Sequence, residues 1–196
     1  MKKLFDNYTN IILEGLQATI ATDFGGCKLH MDVALNGWCE RAKKVRDELS
    51  GFTFFCGNGA SATMAEHMSH DWFQNAMMNT QTCSETAHLT AIANDISYED
   101  VFAFRIDRIL SEKDILVTIS SSGNSPNILK ALHTAREKGA YCITLSGMKE
   151  DNKSRQLGDL NFYVPLHTYG LVESAHAVLL HAALDIFLEK YMGGMH

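Results

Sequence analysis

Apolar residues recur at helical spacing through the start of the chain, at Leu4, Tyr8, Ile11, Ile12 and Leu16. They recur again, among charges, at Val33, Leu35, Trp38 and Val45, between about Met31 and Leu49. That period predicts two amphipathic helices, separated near Gly25-Gly26. From Phe52 the pattern changes to short apolar runs without clean alternation: FTFFCGNG, HLTAIAND, DILVTISSSGN, AYCITLSG and LNFYVP. Such runs suit strands buried on both faces, as in a parallel sheet. Among and after them lie helical candidates: SATMAEHMSHDWFQNAM, YEDVFAFRIDRIL, SPNILKALHTAREKG and the closing GLVESAHAVLLHAALDIFLEKYM. Strands alternating with helices predict a doubly wound α/β fold around a central parallel sheet, with extra helices at both ends. At 196 residues, with no internal repeat, low-complexity tract or linker, the chain is expected to form one domain.

Composition and charge narrow the function classes. Lys and Arg number 17 against 23 Asp and Glu, a net charge of -6, and no basic run exceeds a pair, so a nucleic-acid partner is not expected. Cys27, Cys39, Cys56, Cys83 and Cys142 are odd in number and scattered, with no C-x-x-C pair, which predicts reduced thiols in a cytoplasm. No stretch reads as a membrane span. The opening MKKLFDNYTNIILEG is broken by Asp6, Asn7, Asn10 and Glu14 where a signal peptide needs its apolar stretch. A cytoplasmic protein without a membrane partner is the expectation.

Candidate chemistry gathers at the ends of the predicted strands. SSSGNSPN, residues 120–127, follows the run DILVTI directly. In an open parallel sheet the loops at the carboxyl ends of strands lead into helix N-termini, which present free N–H groups and partial positive charge. Pro126 suits the first turn of a helix and Ser125 can cap it. Four hydroxyls and exposed amides form a neutral cradle for an anion, with phosphate the best candidate; an ordinary capped turn uses the same residue types. No Walker A pattern is present. A second loop, CGNGAS (residues 56–61), follows the first predicted strand, with two glycines that permit close backbone approach and Ser61 as a candidate cap.

The helix after CGNGAS carries His67, His70 and Asp71, and His67 and Asp71 stand four apart on one face, a spacing that chelates a metal or couples an acid to a base. The closing helix carries Glu173, His176 and His181 within one broad stripe. Such groups in an otherwise apolar helix are costly to bury unless paired or metal-bound, and either histidine alone also fits a satisfied core or interface position.

These residues resemble a known family. FFCGNGASATMAEH, IAND, ISSSGNSPNILKALHTAREKGAYCITLSG and a terminal helix with E-x-x-H-x-x-x-x-H are similar to the sugar isomerase (SIS) domain, specifically its phosphoheptose isomerase branch. The resemblance spans essentially the whole chain. It implies a three-layer SIS fold in which residues 1–50 serve as a helical oligomerisation segment of a homotetramer, with active sites at subunit boundaries. It implies conversion of sedoheptulose 7-phosphate to a heptose 7-phosphate for lipopolysaccharide or capsule synthesis. Ser120, Ser121, Ser122 and Ser125 fall on the phosphate loop, Asn58, Gly59 and Ser61 on the first sugar-binding loop, and Asn94 and Asp95 on the pair near the sugar hydroxyls. His67 falls on a metal ligand, and His181 on a histidine that serves as ligand and in proton transfer.

Two positions depart from that pattern. Asp71 stands where the family has a catalytic glutamate, and Glu173 where it has a glutamine. Both remain good zinc ligands, so the resemblance implies zinc held by His67, Asp71, Glu173 and His181. Asp71 is the implied base; its carboxylate is one methylene shorter, a retreat of roughly 1 Å that can cost on the order of a hundredfold in rate. A family aspartate before the last helix is absent, with Gly170 near its position. The implied reaction runs through an enediol(ate), with His181 shuttling a proton between oxygens or serving as a ligand. An isomerase of another sugar phosphate, or a non-catalytic SIS protein binding a phosphosugar or a partner such as a replication initiator, fits the same scaffold.

Overall fold

In the computed structural model, which describes residues 3–194, helices cover both faces of a seven-stranded sheet. The first helical period folds as α1 (Leu4–Gln17). The second folds as α2 (Met31–Lys44), which continues through one wide turn at Val45–Leu49. Between them lies a hairpin the periodicity did not announce, β1 (Ile20–Asp23) and β2 (Lys28–Leu29), turning at Gly25-Gly26. The first fifty residues are therefore not purely helical. Strand β1 pairs antiparallel with the strand that comes last in the chain, Ala21 opposite Phe162, and so joins this segment to the main body.

The remaining elements are β3 (Thr53–Gly57), α3 (Ala60–Asn75), β4 (Thr80–Thr82), α4 (Thr86–Asp95), α5 (Ala103–Ile109), β5 (Ile115–Ser120), α6 (Pro126–Glu137), β6 (Tyr141–Gly147), β7 (Leu160–Val164) and α7 (Tyr169–Tyr191). Strands β3, β5, β6 and β7 lie in four of the five apolar runs. The fifth, HLTAIAND, is helix α4 and not a strand. Its Leu89, Ile92 and Ala93 stand three and four apart, which is helical spacing, and pack against the core. The strand in that region is β4, whose TQT is half-buried at the sheet edge and carries no apolar residue to signal it.

The sheet order is β2-β1-β7-β6-β5-β3-β4, with β3 to β7 parallel. Successive residues of the central strands feed opposite cores, as a pleated strand requires. Phe55, Val117 and Ile143 pack with Trp38, Trp72 and Phe187 from α2, α3 and α7, whereas Phe54, Leu116 and Cys142 pack with Ile92, Ile106 and Leu132 from α4, α5 and α6. Each such aromatic or aliphatic side chain contributes about 1.5–3 kcal/mol on burial. The result is the three-layer, doubly wound sandwich. Helix α7 is long and apolar enough, by length and composition, to cross a membrane, contrary to the reading of the sequence. Half of its most apolar stretch is buried, and Val172, Leu180 and Phe187 are fully covered, so its apolarity is used in packing. All five cysteines are free thiols. Burial pushes Cys39 up to about 11 and Cys142 to about 12, as expected of inert core residues.

The topology also locates the site. Strand order reverses between β3 and β5, since β4 lies outside β3 while β6 and β7 lie beyond β5. Helix α3, which follows β3, packs in one core and α6, which follows β5, in the other, so the two loops part to opposite faces. A crevice opens where they diverge, the place where open α/β sheets take their ligands.

Candidate functional site

That crevice holds a polar cavity of about 140 Å³. Asn58 and Ser61 line it from the first loop, Ser120, Ser121, Ser122 and Ser125 from the second, and Tyr169 and Glu173 from α7. The serine loop owes its shape to Gly123, which sits at φ +61° and where a Cβ would stand 2.1 Å from Asn152 Oδ1. Asn152 is buried and braces the loop from outside. Its Nδ2 donates to Lys149 O at 2.8 Å, its Oδ1 accepts from Ser154 Oγ at 3.1 Å, and the Ser154 N–H donates to Gly123 O at 2.9 Å.

Three helices begin at this cavity. Ser61 was expected to cap α3, but the N-cap is Gly59 (φ +57°) and Ser61 lies within the first turn, its N–H donating to Asn58 O at 3.0 Å. Ser125 is the N-cap of α6 and Pro126 opens that helix, as predicted, yet the Ser125 side chain makes no capping hydrogen bond. Both hydroxyls are thus left for a ligand. Ser121 Oγ is buried with no partner among the described residues. Tyr169 opens α7. The positive ends of three helices converge with these hydroxyls, and no Lys or Arg side chain lines the cavity among the described residues. Free N–H dipoles and O–H donors without a cation form a site for an anion.

A second cluster lies where α3 meets α7. His67 Nε2 is 3.2 Å from Asp71 Oδ2, and the His67 and His181 rings meet edge-on with centroids 5.3 Å apart. One ligand atom from each of His67, Asp71 and His181 falls within 4.8 Å of the others. Two imidazole nitrogens and a carboxylate oxygen are donors that suit zinc, and a tetrahedral site with bonds of ~2.0–2.1 Å places its ligands roughly 3.3 Å apart. The set therefore fits such an ion, with one position left open. A small cavity of about 170 Å³, lined by His67, His181, Thr63 and Met64 among others, adjoins the cluster.

The four-ligand set expected from the sequence is not brought together in this chain. Glu173 precedes His181 by eight residues, about 12 Å along the helix axis, and lines the serine cavity instead of joining the cluster. His176 is wholly buried and faces Ser146 of β6, away from both sites. Asn94 and Asp95 are exposed at the end of α4, bonded to each other at 2.8 Å, and line none of these cavities. Three residues that motif reading missed do reach the first site. Tyr169 lines it, Asn127 exchanges hydrogen bonds with Asn58, and Tyr98 donates to Asn58 Oδ1 at 3.2 Å. Asn127 is the final residue of SSSGNSPN, so its place in the motif was visible even though its contact was not. A larger cleft of about 910 Å³ opens on the other side of Ser122, lined by Asn124, Met148, Lys149, Glu150, Asp151, Tyr163 and His167. It adjoins the crevice through Ser122 and, unlike the serine cavity, carries a lysine, Lys149, beside the carboxylates of Glu150 and Asp151.

Comparison with known proteins bears on the same residues. The SIS domain family matches residues 47–147, which contain both loops and the first cluster helix. Phosphoheptose isomerase 1 of Campylobacter jejuni is 33% identical over 159 residues, covering 78% of this chain and 82% of the relative. The phosphoheptose isomerase of Helicobacter pylori (strain P12) is 33% identical over 144 residues, covering 70% and 74%. The structure of phosphoheptose isomerase GmhA from Neisseria gonorrhoeae superposes with a TM-score of 0.79 over 93% of this chain and 94% of that one, at 24% identity, a likeness of fold. The chain belongs to the SIS domain family and, within it, to the phosphoheptose isomerases.

Proposed function

We propose that this isomerase converts sedoheptulose 7-phosphate to D-glycero-D-manno-heptose 7-phosphate, supplying heptose for a surface polysaccharide. One observation carries the reading: a cation-free phosphate cradle and a His–Asp–His cluster share helix α3. Ser61 lies at the cradle and His67 six residues on, about 9 Å along the axis, a separation that an open-chain sugar of several carbons spans. Ser120, Ser121, Ser122 and Ser125 hold the phosphate, while Asn58, Gly59 and Ser61 bind the adjoining sugar.

At the far end, Asp71 takes the proton from the carbon beside the carbonyl. His181 protonates the carbonyl oxygen and accepts the hydroxyl proton of the neighbouring carbon, and the proton then returns to the former carbonyl carbon. His67 holds Asp71 through their 3.2 Å contact. Zinc held by His67, Asp71 and His181 would supply Lewis-acid polarisation of the carbonyl, with Asp71 and His181 alternating between the ligand and proton-transfer roles. Glu173, at the cradle, binds substrate, and supplies a fourth zinc ligand only where subunits combine.

The assembly that fits is a homotetramer, with residues 1–50 as its oligomerisation segment. Leu4 and Phe5 of α1 are 70% and 76% exposed, and Tyr8 and Leu13 extend that apolar face. Sites at subunit boundaries would bring Asn94, Asp95 and Glu173 within reach of a cluster from which they stand apart in one subunit. Buried, unpaired cysteines fit a cytoplasmic location. Proton NMR in deuterated water tests the function: the zinc-supplemented protein is expected to place deuterium on the carbon beside the carbonyl of sedoheptulose 7-phosphate as an aldose appears. Exchange with a hexose or pentose phosphate alone would change the substrate, and no exchange with any of them would refute isomerisation.

A further inference from the structure

Asn58 and Asn127 form a closed pair. Asn58 Nδ2 donates to Asn127 Oδ1 and Asn127 Nδ2 donates to Asn58 Oδ1, both at 2.9 Å. The pair links the two loops of the crevice, since Asn58 follows β3 and Asn127 lies in the first turn of α6. Such a pair is symmetric on its own: turning both amides over would preserve both bonds. The backbone breaks the symmetry. The Ile128 N–H, which can only donate, reaches Asn127 Oδ1 at 3.0 Å and so fixes which atom of Asn127 is oxygen. Asn127 then fixes Asn58. Tyr98 OH adds a second donor to Asn58 Oδ1 at 3.2 Å.

The consequences for Asn58 follow by counting. A side-chain amide has two acceptor positions on oxygen and two N–H donors. Both acceptor positions of Asn58 are filled, by Asn127 and Tyr98, and one of its two N–H groups is spent on Asn127. A single N–H remains, on a residue that lines the serine cavity. Asn127 itself is 2% exposed and cannot meet the ligand in its present position. Lys130 of α6 holds Asp100 at 2.7 Å and Ser97 Oγ donates to Asp100 at 2.7 Å, which keeps the Tyr98 segment against α6.

We infer that Asn127 and Tyr98 are positioning residues that make Asn58 a donor, and not an acceptor, toward bound substrate. Its remaining N–H is directed at an acceptor oxygen at the cradle end of a phosphosugar, either a phosphate oxygen or a hydroxyl oxygen of the adjoining sugar carbons. A donor set before the ligand arrives needs no reordering when the ligand binds. The inference rests on the phosphosugar reading of this cavity.

A double-mutant cycle tests it. Asn127→Asp keeps the volume and the bond from the Ile128 N–H but turns the donor to Asn58 into an oxygen; Tyr98→Phe removes one exposed hydroxyl. Affinities for inorganic phosphate and for sedoheptulose 7-phosphate are measured by calorimetry, together with kcat and KM. Asn127→Asp is expected to lose roughly tenfold to a hundredfold and Tyr98→Phe roughly threefold. In the Asn58→Ala background both losses should shrink below about twofold, because the residues act through Asn58. A loss in phosphate affinity places the donor on the phosphate; a loss in sedoheptulose 7-phosphate affinity with phosphate affinity intact places it on the adjoining sugar. Undiminished binding and turnover in folded Asn127→Asp, or losses that persist without Asn58, would overturn the inference. Should Asn127→Asp fail to fold, the Tyr98→Phe arm decides alone. Wild-type protein that binds the sugar phosphate but never turns it over refutes the proposed reaction, while the cycle read on affinity still decides the role of Asn127.

Discussion

His176 Nε2 donates to the carbonyl oxygen of Ser146 at 3.1 Å, joining α7 to β6, and its Nδ1 is buried without a partner among the described residues. Burial pushes this imidazole down from 6.5 to about 4, against a smaller opposing effect of the bond to Ser146. The unfolded chain therefore takes up a proton, between pH 6.5 and about 4, that the folded chain refuses. Stability from this residue is complete above pH 6.5 and falls as the pH drops toward 4, by roughly 3 kcal/mol in all. Urea unfolding at a series of pH values should show that slope, and His176→Asn should flatten it. A slope identical in the variant would assign the acid sensitivity to other groups.

Ser125 separates binding from stability. An N-cap serine normally loses about 0.5–2 kcal/mol on replacement by alanine, but Ser125 makes no capping bond. Ser125→Ala should leave the thermal midpoint nearly unchanged. Loss of one hydrogen bond to an anion, about 1.5–3 kcal/mol, should raise KM roughly tenfold or more with a smaller change in kcat. Thermal unfolding and steady-state kinetics on the same preparation check both halves.

Gly123→Ala should fail differently. The new methyl meets Asn152 Oδ1 on a backbone at φ +61°, so the serine loop must move and Asn152 must release its bonds. A loss of at least about 2 kcal/mol in stability and of measurable phosphate affinity is expected, by denaturation and calorimetry. Wild-type phosphate affinity in this variant would show that the loop shape does not set the cradle.

Metal content distinguishes three ligands from four. His67→Ala and His181→Ala should each abolish stoichiometric zinc by elemental analysis. Once the proposed tetramer is dissociated, Glu173→Gln should retain it, because Glu173 lies in the serine cavity and outside the cluster. Zinc lost from all three variants as isolated subunits would contradict that separation.

In the proposed tetramer the exposed face of α1 is the expected contact between subunits. Phe5→Glu combined with Leu13→Glu, both at exposed positions, is expected to lower the mass seen by light scattering while leaving far-UV dichroism unchanged. A mass equal to wild type would remove α1 from the interface.

Much of this was written in one-dimensional patterns. Strands β3, β5, β6 and β7 are buried on both faces and so appear as continuous apolar runs. The serine loop was legible because four hydroxyls around Gly123-Asn124 are an unusual density of one chemistry. HLTAIAND misled because a ten-residue helix offers a single i, i+3, i+4 set, Leu89, Ile92 and Ala93, in a run that also reads as a short apolar strand. The hairpin β1–β2 and the edge strand β4 are short and partly polar, and their pairing depends on residues far along the chain.

The α/β alternation, the two crevice loops and the residue types of the His–Asp cluster were readable along the chain, because local periodicity and turn chemistry depend on neighbours in sequence. Packing in three dimensions set Glu173 among the serines and His181 beside His67, made His176 a core residue, and brought Asn127 onto Asn58 from 69 residues away. Those outcomes depend on how far a helix advances between two residues and on where strand order reverses. Both are properties of the packed chain in three dimensions, and no spacing along the sequence carries them.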